Sequence, residues 1–509
     1  MITKQLFNKT FISLNLLLNV FIFKAQSWEP LTTGVTNSNS APTSVDAMCV
    51  YNGKLIVAGS FDNAGGTLAN NIAAWDGTDW SPLGNGLTNY QFIYGSFIFR
   101  DCSNANNSSL PKVRSLAVYN NELYAAGDFI HADGVPVYSI AKWNGTNWSS
   151  VGGGLVHVNG DIYGYGGIKD MKVFNNELYV VGSFDSIGNI AAVNIAKWNG
   201  TYWSSVGGGI KNDLSYGQFA NFARLKQVWA LHPYNNNLYV GGVFDTVGIN
   251  KPAKNIAVWD GNSWSNLGTG IPRTGDLTNG YLGVTYITDF AGNIHVGNNT
   301  SGISKWNGTY WQSVGGGLQT SATPGTVYTT LISNNEMITG GNYNKSGNID
   351  NTLSISKWNG TSWNYFGPLY GTISGFWPNM CVNSIATFNN YIYVGGNFTG
   401  VCNQTGITTV NRIARISGLV GITENEKGSK EVYLYPNPAS NEIELSLNHS
   451  AAIEKILVRE LSGKEVLNLS IPKTQETKVN IRDLKPGAYF IEIKTNSGIL
   501  TKPFIKISE

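Results

Sequence analysis

The chain has 509 residues, of which only 13% are charged, with a formal net charge of +2 and 60 glycines. Charge this sparse, with no basic stripe, excludes a nucleic-acid surface, and the glycine content suits a turn-dense all-β protein. Four cysteines are too few for a disulfide framework.

The N-terminus carries Lys4 and Lys9, then an apolar run from Phe11 to Phe23 interrupted by Asn15 and Asn19, then Lys-Ala-Gln. This reads as a secretory signal peptide over residues 1–26. The run is too short to span a bilayer, and no other stretch could, so the mature chain is expected not to span a membrane.

From Ser27 the texture becomes repetitive. A block Trp-(Asn/Asp)-Gly-x-x-Trp starts at Trp75, Trp143, Trp198, Trp259, Trp306 and Trp358. The starts lie 68, 55, 61, 47 and 52 residues apart, periods that signal propellers, solenoids or arrays. Around the second copy four strand-like runs follow one another: VRSLAVY, ELYAAGDF, SIAKW and NWSSVG. Each is rich in β-branched and aromatic residues and bounded by turn residues. Asn120-Asn121 joins the first two, and Asn144-Gly145 joins the last two as an expected two-residue type I′ hairpin. That register pairs Trp143 with Thr146 and sets Trp148 one diagonal step from Trp143 on the same face. Four antiparallel strands stacked face to face make a propeller blade.

Seven first-and-second-strand pairs can be found, the last being VNSIATFNNYIYVGGNF. It is followed by a third strand, NRIARISG, with no fourth behind it, while SWEPLTTGV from Ser27 aligns with DWSPLGNGL from Asp79. The N-terminal strand should therefore complete the last blade and remove the open sheet edges. The expected fold is an all-β, seven-bladed β-propeller over residues 27–420.

The second strands that end in Gly-Gly (Gly241-Gly242, Gly340-Gly341, Gly395-Gly396), with an aromatic next and a fourth-strand Trp beyond, resemble the kelch and galactose-oxidase type of propeller. The first three blades have one of the two glycines, and the fifth lacks the aromatic. The Asn-Gly and Asp-Gly hairpins sit where sialidase-type propellers carry Asp boxes, but Asp or Asn abuts Gly directly here, which reads as a turn.

Residues 421–430 form a polar linker, and residues 431–509 alternate apolar residues with turn signals, as expected for an immunoglobulin-like β-sandwich. Leu434-Tyr435-Pro436-Asn437-Pro438, Leu461-Ser462-Gly463-Lys464 and Leu484-Lys485-Pro486-Gly487-Ala488-Tyr489 resemble the type A C-terminal sorting domain of the type IX secretion system (Por). The resemblance implies export across the outer membrane, with the secretion machinery as partner, to a secreted or cell-surface location.

Catalytic signals are weak. The long loops after second and fourth strands share one face and are rich in aromatics, of which Tyr163, Tyr216 and Trp377 are candidate ligand platforms. His131 and His157 lie on the same face near Asp133 and Asp161, in a spacing that matches no metal motif. His232 and His295 fall in strands and read as core residues. Arg114, Arg224 and Arg412 are the candidates for a sialidase-like triad, but their local sequences share no pattern. No copper-site constellation, phosphate loop or nucleophile elbow is evident, and no cofactor or metal is expected. Cys381 and Cys402 fall at one face and could pair, with free thiols or a bridge to Cys102 as alternatives, and Cys49 reads as a small buried apolar residue. The favoured function is noncatalytic binding of a glycan or protein ligand by a monomer. The alternative is an extracellular carbohydrate-active hydrolase or lyase with its site at the channel mouth.

Overall fold

The computed structural model describes residues 27–38, 41–88, 111–155, 167–211, 227–272, 283–298, 300–320, 323–367, 369–370, 380–403, 406–417, 432–435, 439–447, 452–460, 464–485, 487–495 and 498–506. The expected signal peptide and linker lie outside them. The chain divides into two compact units, residues 1–421 and 422–509.

Each repeat of the first unit opens with an inner strand. These are Ser44–Tyr51, Lys112–Tyr119, Gly167–Phe174, Gln227–Tyr234, Val284–Phe290, Thr326–Ser333 and Val382–Phe388. A two-residue turn returns the chain into a second strand. Asn120 and Asn121 show why Asn is chosen there, with φ of 49° and 61°, the left-handed values that a type I′ turn needs. The second repeat then places Lys112–Tyr119, Glu122–Asp128, Ile140–Trp143 and Trp148–Ser150 side by side in that order. Seven four-stranded antiparallel sheets of this kind occur among the described residues of this unit. Inner strands of successive repeats lie against one another, and the first lies against the last. A closed circle of such sheets is a propeller-like arrangement.

The last sheet takes its fourth strand from the N-terminal side. Trp28–Pro30 pairs antiparallel with the third strand, matching Trp28 with Ile416, Glu29 with Arg415 and Pro30 with Ala414. Asn403 fastens this seam from the side, its Oδ1 accepting from Trp28 N at 2.8 Å and its Nδ2 donating to Trp28 O at 3.2 Å. Arg415 bonds Glu29 at 3.1 Å and lies 4.3 Å from the centre of the Tyr391 ring.

The Trp-bearing hairpins differ from expectation. Trp143 pairs directly with Trp148 across a four-residue turn, not diagonally across a two-residue one. Only Gly145 takes positive φ, while Asn144 Oδ1 accepts the backbone N–H groups of Thr146 and Asn147 at 2.9 and 2.8 Å. The Asn side chain thus caps its own turn and replaces the backbone bond of a type I′ hairpin. Facing each other, the two indoles lie 5.4 Å apart. The pair packs with Tyr51, Ile56 and Leu83 of the preceding repeat. Burying each ring contributes roughly 4–6 kcal/mol before entropy is counted. The second Trp also reaches back to that repeat, Trp148 Nε1 donating to Leu83 O at 2.9 Å and Trp203 Nε1 to Val151 O at 3.0 Å.

Short hairpins between second and third strands form a further layer that the sequence did not reveal. His131–Ala132 pairs with Val135–Pro136 and with Leu87–Thr88, the outgoing segment of the repeat before. Comparable three-stranded sheets recur at Val35–Thr36, Ile210–Lys211, Leu318–Gln319 and Leu369–Tyr370.

In the second unit one sheet is ordered Val432–Tyr435, Glu442–Leu447, Glu476–Asn480, and another Glu465–Thr474, Ile453–Glu460, Gly487–Thr495, Gly498–Lys506. Ile443, Leu445, Ile456, Val458, Ile491, Ile493 and Phe504 are buried together between them.

Candidate functional site

Every inner strand is interrupted at the same place. The register shifts between Val45 and Ala47, Val113 and Ser115, Ile168 and Asp170, Val228 and Ala230, Val284 and Tyr286, Val327 and Thr329, and Val382 and Ser384. One residue in each is bulged out of the ladder: Asp46, Arg114, Lys169, Trp229, Thr285, Tyr328 and Asn383. A bulge leaves its extra residue unpaired and re-aims the side chain. The frame around it is fixed. The preceding residue is always Val or Ile and at most 1% exposed. The residue opposite is glycine in six repeats and Asn298 in the fifth. A Cβ on those glycines would fall 2.0–2.3 Å from a carbonyl oxygen of the inner strand. The second-strand glycines are therefore there to let the bulge approach.

The bulged residues and their neighbours form a polar chain around the inner ring. Asp46 accepts from Lys112 Nζ at 3.0 Å, Asn383 Nδ2 at 2.8 Å and Ser44 Oγ at 2.6 Å. Asp128, at the end of the second repeat's second strand, accepts from Arg114 through both Nε, at 2.8 Å, and Nη2, with Lys169 Nζ 3.6 Å away. Burial pushes the Asp128 carboxyl up, but Arg114, Lys169 and Lys112 together outweigh it and hold it below the usual carboxylate range. Deeper in the ring, Asp170 accepts from Ser115 Oγ at 3.1 Å, Lys172 Nζ at 2.8 Å and Leu231 N of the next repeat at 2.9 Å. His232 Nε2 lies 2.9 Å from Asp289 of the fifth repeat. Burial lowers the affinity of His232 for a proton more than Asp289 restores it. Charged groups fill repeats one to three at the level of the bulges, and Trp229 and Tyr328 stand in repeats four and six. Trp229 Nε1 donates to Gln227 Oε1 at 2.8 Å.

Of the residues singled out from the sequence, Tyr163, His157, Tyr216 and Trp377 lie outside the described residues, as do Cys102 and Arg224. His131 is half-buried in the peripheral hairpin and belongs to a different sheet from the inner strands. Its neighbour Asp133 accepts from Asn85 N of the preceding repeat, which makes it a brace between hairpins. Among the described residues no group of three or more His, Cys, Asp and Glu could hold a metal ion. Arg412 takes φ of 67° and spends Nη1 on Asn397 O at 2.7 Å. Of the two described arginines, Arg114 and Arg412, Arg114 reaches the ring of bulges.

Cys381 and Cys402 are free thiols, and the bridge between them is not formed. Cys381 enters the seventh inner strand beside Asp46, and its thiol is pushed up to about 12, chiefly by burial. Cys402 sits in the outer hairpin Gly400–Asn403, opposite Ile407. Cys49 is partly buried against the core, its thiol also raised to about 12 by burial.

In the sorting motif, Leu434 packs on the second unit's core. Tyr489 stacks on Phe504 at 5.5 Å and donates to Lys485 O at 2.8 Å. Gly487 opens its strand opposite Lys506. Tyr435 lies in the Val432–Tyr435 strand, while Pro436, Asn437, Pro438 and Gly463 lie outside the described residues.

Residues 433–507 match the family model of the secretion system C-terminal sorting domain. The protein is thus exported through the type IX secretion system to the cell surface or the extracellular space, and its C-terminal domain addresses it to that machinery. No helix among the described residues is long and apolar enough to cross a membrane. No curated protein matches the chain. Among solved structures, a computationally designed protein, Ika8, is similar at 12% identity with a TM-score of 0.35, over 94% of this chain and 100% of that one. A putative oxidoreductase (glucose dehydrogenase) from Thermus thermophilus is similar at 14% identity and TM-score 0.31, over 62% and 94%. A protein of unknown function from Bacteroides thetaiotaomicron is similar at 10% identity and TM-score 0.30, over 75% and 99%. None of these likenesses is close enough to bear on the fold or the ligand.

Proposed function

We propose that residues 27–420 are a seven-bladed β-propeller of the kelch and galactose-oxidase kind that binds a glycan or protein ligand outside the cell without turning it over. In this reading residues 1–26 are its signal peptide and residues 431–509 an immunoglobulin-like sorting sandwich. The ligand sits at the channel mouth, on the face where the loops entering the inner strands arrive. The observation that carries this is the ring of bulges. Seven repeats hold one frame, Val or Ile before the bulge and glycine opposite it in six, yet present seven different side chains at the bulge itself. Packing of the shared frame explains a position that repeats; a position that differs in every copy is not set by that frame, which supports a role in recognition. Tyr163, Tyr216, Trp377, His157 and His131 are further proposed contacts on that face.

Binding is favoured over glycoside hydrolysis by the state of the carboxylates. Hydrolysis needs one carboxyl kept protonated as a general acid. Asp128, held below the usual carboxylate range by three cations, does not suit that role. The test is a glycan and peptide array with a turnover screen on the full-length chain, repeated with Trp229→Ala. Binding should fall at least tenfold in the variant with thermal stability little changed. Turnover of a bound glycan, or a ligand mapped to the Asn-Gly hairpin face, would refute the proposal.

A further inference from the structure

Resting on the binding reading above, we propose that the ligand is a neutral glycan, its sugar rings laid on Trp229 and Tyr328 and its hydroxyl groups donating to Thr285 and Asn383.

At the level of the bulges the inner ring divides into two arcs. In repeats one to three the charged groups are engaged with one another, Asp46 with Lys112 and Asp128 with Arg114 and Lys169. In repeats four to seven the bulged residues are Trp229, Thr285, Tyr328 and Asn383, none of them charged. All four are half-buried, neither sealed in the core nor fully exposed. Their inner strands lie against one another in that order. An ionic ligand would compete for charges that are already paired, whereas the uncharged arc calls for none.

The second observation is the direction of the hydrogen bonds. Asn383 commits both amide hydrogens, to Asp46 Oδ1 at 2.8 Å and to Val45 O at 3.3 Å. Both partners are acceptors, which fixes Nδ2 on their side and turns Oδ1 away from them. No described residue donates to that oxygen, and it is not buried. Thr285 Oγ1 gives its one hydrogen to Val327 O at 2.9 Å and keeps only lone pairs to offer. At these two positions the arc presents acceptors and lacks donors. A carboxylate, sulfate or phosphate brings only acceptors and would be repelled there. A peptide backbone brings a carbonyl acceptor with every N–H. A sugar hydroxyl is a donor that rotates to suit the lone pair it meets.

The third is the pair of rings. Trp229 Nε1 donates to Gln227 Oε1 at 2.8 Å, and Gln227 is only 6% exposed. The indole edge is thus pinned to a buried group, and a platform held in one orientation beforehand loses less freedom when a ligand arrives. Tyr328 stands two repeats further round, with the smaller Thr285 on the repeat between. Flat rings on either side of a small hydroxyl residue suit a saccharide, whose C–H face packs on aromatics while its edge donates hydrogen bonds.

The experiment is calorimetric titration of the full-length chain with neutral gluco-, manno- and galacto-oligosaccharides, the same sugars per-O-methylated, uronic-acid oligosaccharides and an uncharged peptide. A neutral sugar should bind, with an affinity little changed by salt. Its methylated form keeps the rings and loses every donor, so it should bind about tenfold more weakly. Thr285→Val keeps the side chain's shape and removes the acceptor. It should weaken the neutral sugar about tenfold and leave the methylated one unchanged, while Trp229→Ala weakens both. The comparison of free and methylated sugar uses the unaltered chain, so it does not depend on either variant folding. Equal affinity for the two forms would overturn the donor assignment and leave the binding propeller standing. Tighter binding of the uronate or of the peptide would overturn the neutral glycan, and no binding at the ring by any of the four would sink both readings.

Discussion

His295 shows how a single side chain sets the response to acid. The ring is 2% exposed in the fifth repeat, with Nδ1 3.0 Å from Asn293 O. Burial drops its pKa from 6.5 to about 4, more than the Asn293 contact restores. The folded chain therefore refuses a proton that the unfolded chain accepts below pH 6.5. Its contribution to stability is full above pH 6.5, declines as pH falls, and is gone below about 4. Across that window the loss is about 3 kcal/mol. In denaturant titrations at pH 7 and 4.5, wild type should lose about 2–3 kcal/mol more than His295→Gln, and parallel losses would show that the ring is not the sensor. Single residues were unevenly legible. His232 and His295 read correctly as strand residues with satisfied partners. The Asn144 turn did not, because Asn-Gly suits a type I′ hairpin and nothing in the letters says that Asn144 Oδ1 will take two backbone donors first. Asp128 and Lys112 were missed because each has no pattern of its own and gains meaning only when the bulge brings Arg114 and Asp46 beside it. A signal was nevertheless present, in the one position after Val or Ile that differs in all seven first strands.

Among elements, the displaced repeat SWEPLTTGV announced the closing strand, because a missing fourth strand at one end and an unpartnered copy at the other leave one arrangement. The blade strands were legible from β-branched alternation. The peripheral three-stranded sheets were not, since strands of two residues carry no periodicity and take their partners from another repeat. The closing strand gives a prediction on this scale. Trp28 is 4% exposed and packs in the last blade's core with Ile338, Leu369 and Ile416. Trp28→Ala should cost about 3–5 kcal/mol, as other large-to-small changes in cores do. An unchanged denaturation midpoint would show that the seam contributes nothing to stability.

For the molecule as a whole, the two units make separate cores, and the propeller's ring closes without any residue of the second. A chain ending near Val420 should fold with the near-ultraviolet dichroism and melting transition of the full protein's propeller, yet fail to leave its native host cell. Loss of the transition would show that the propeller leans on the sorting domain. Normal export of the shortened chain would show that the address lies elsewhere. Much of the architecture was readable because repetition multiplies a weak signal sevenfold. The proposed ligand face was not, because it lies where the repeats stop agreeing.

The seam between Glu29 and Arg415 joins residues 386 positions apart. In a free coil, bringing such distant points together carries an entropic penalty whose length-dependent part is about 5 kcal/mol. Three backbone pairings and one ion pair would scarcely offset that alone. Stacking the intervening sheets confines the two ends in advance, so most of the penalty has been met before the seam forms. The seam then acts as a latch on an object already curved into a ring, and its strength depends on every blade between its halves.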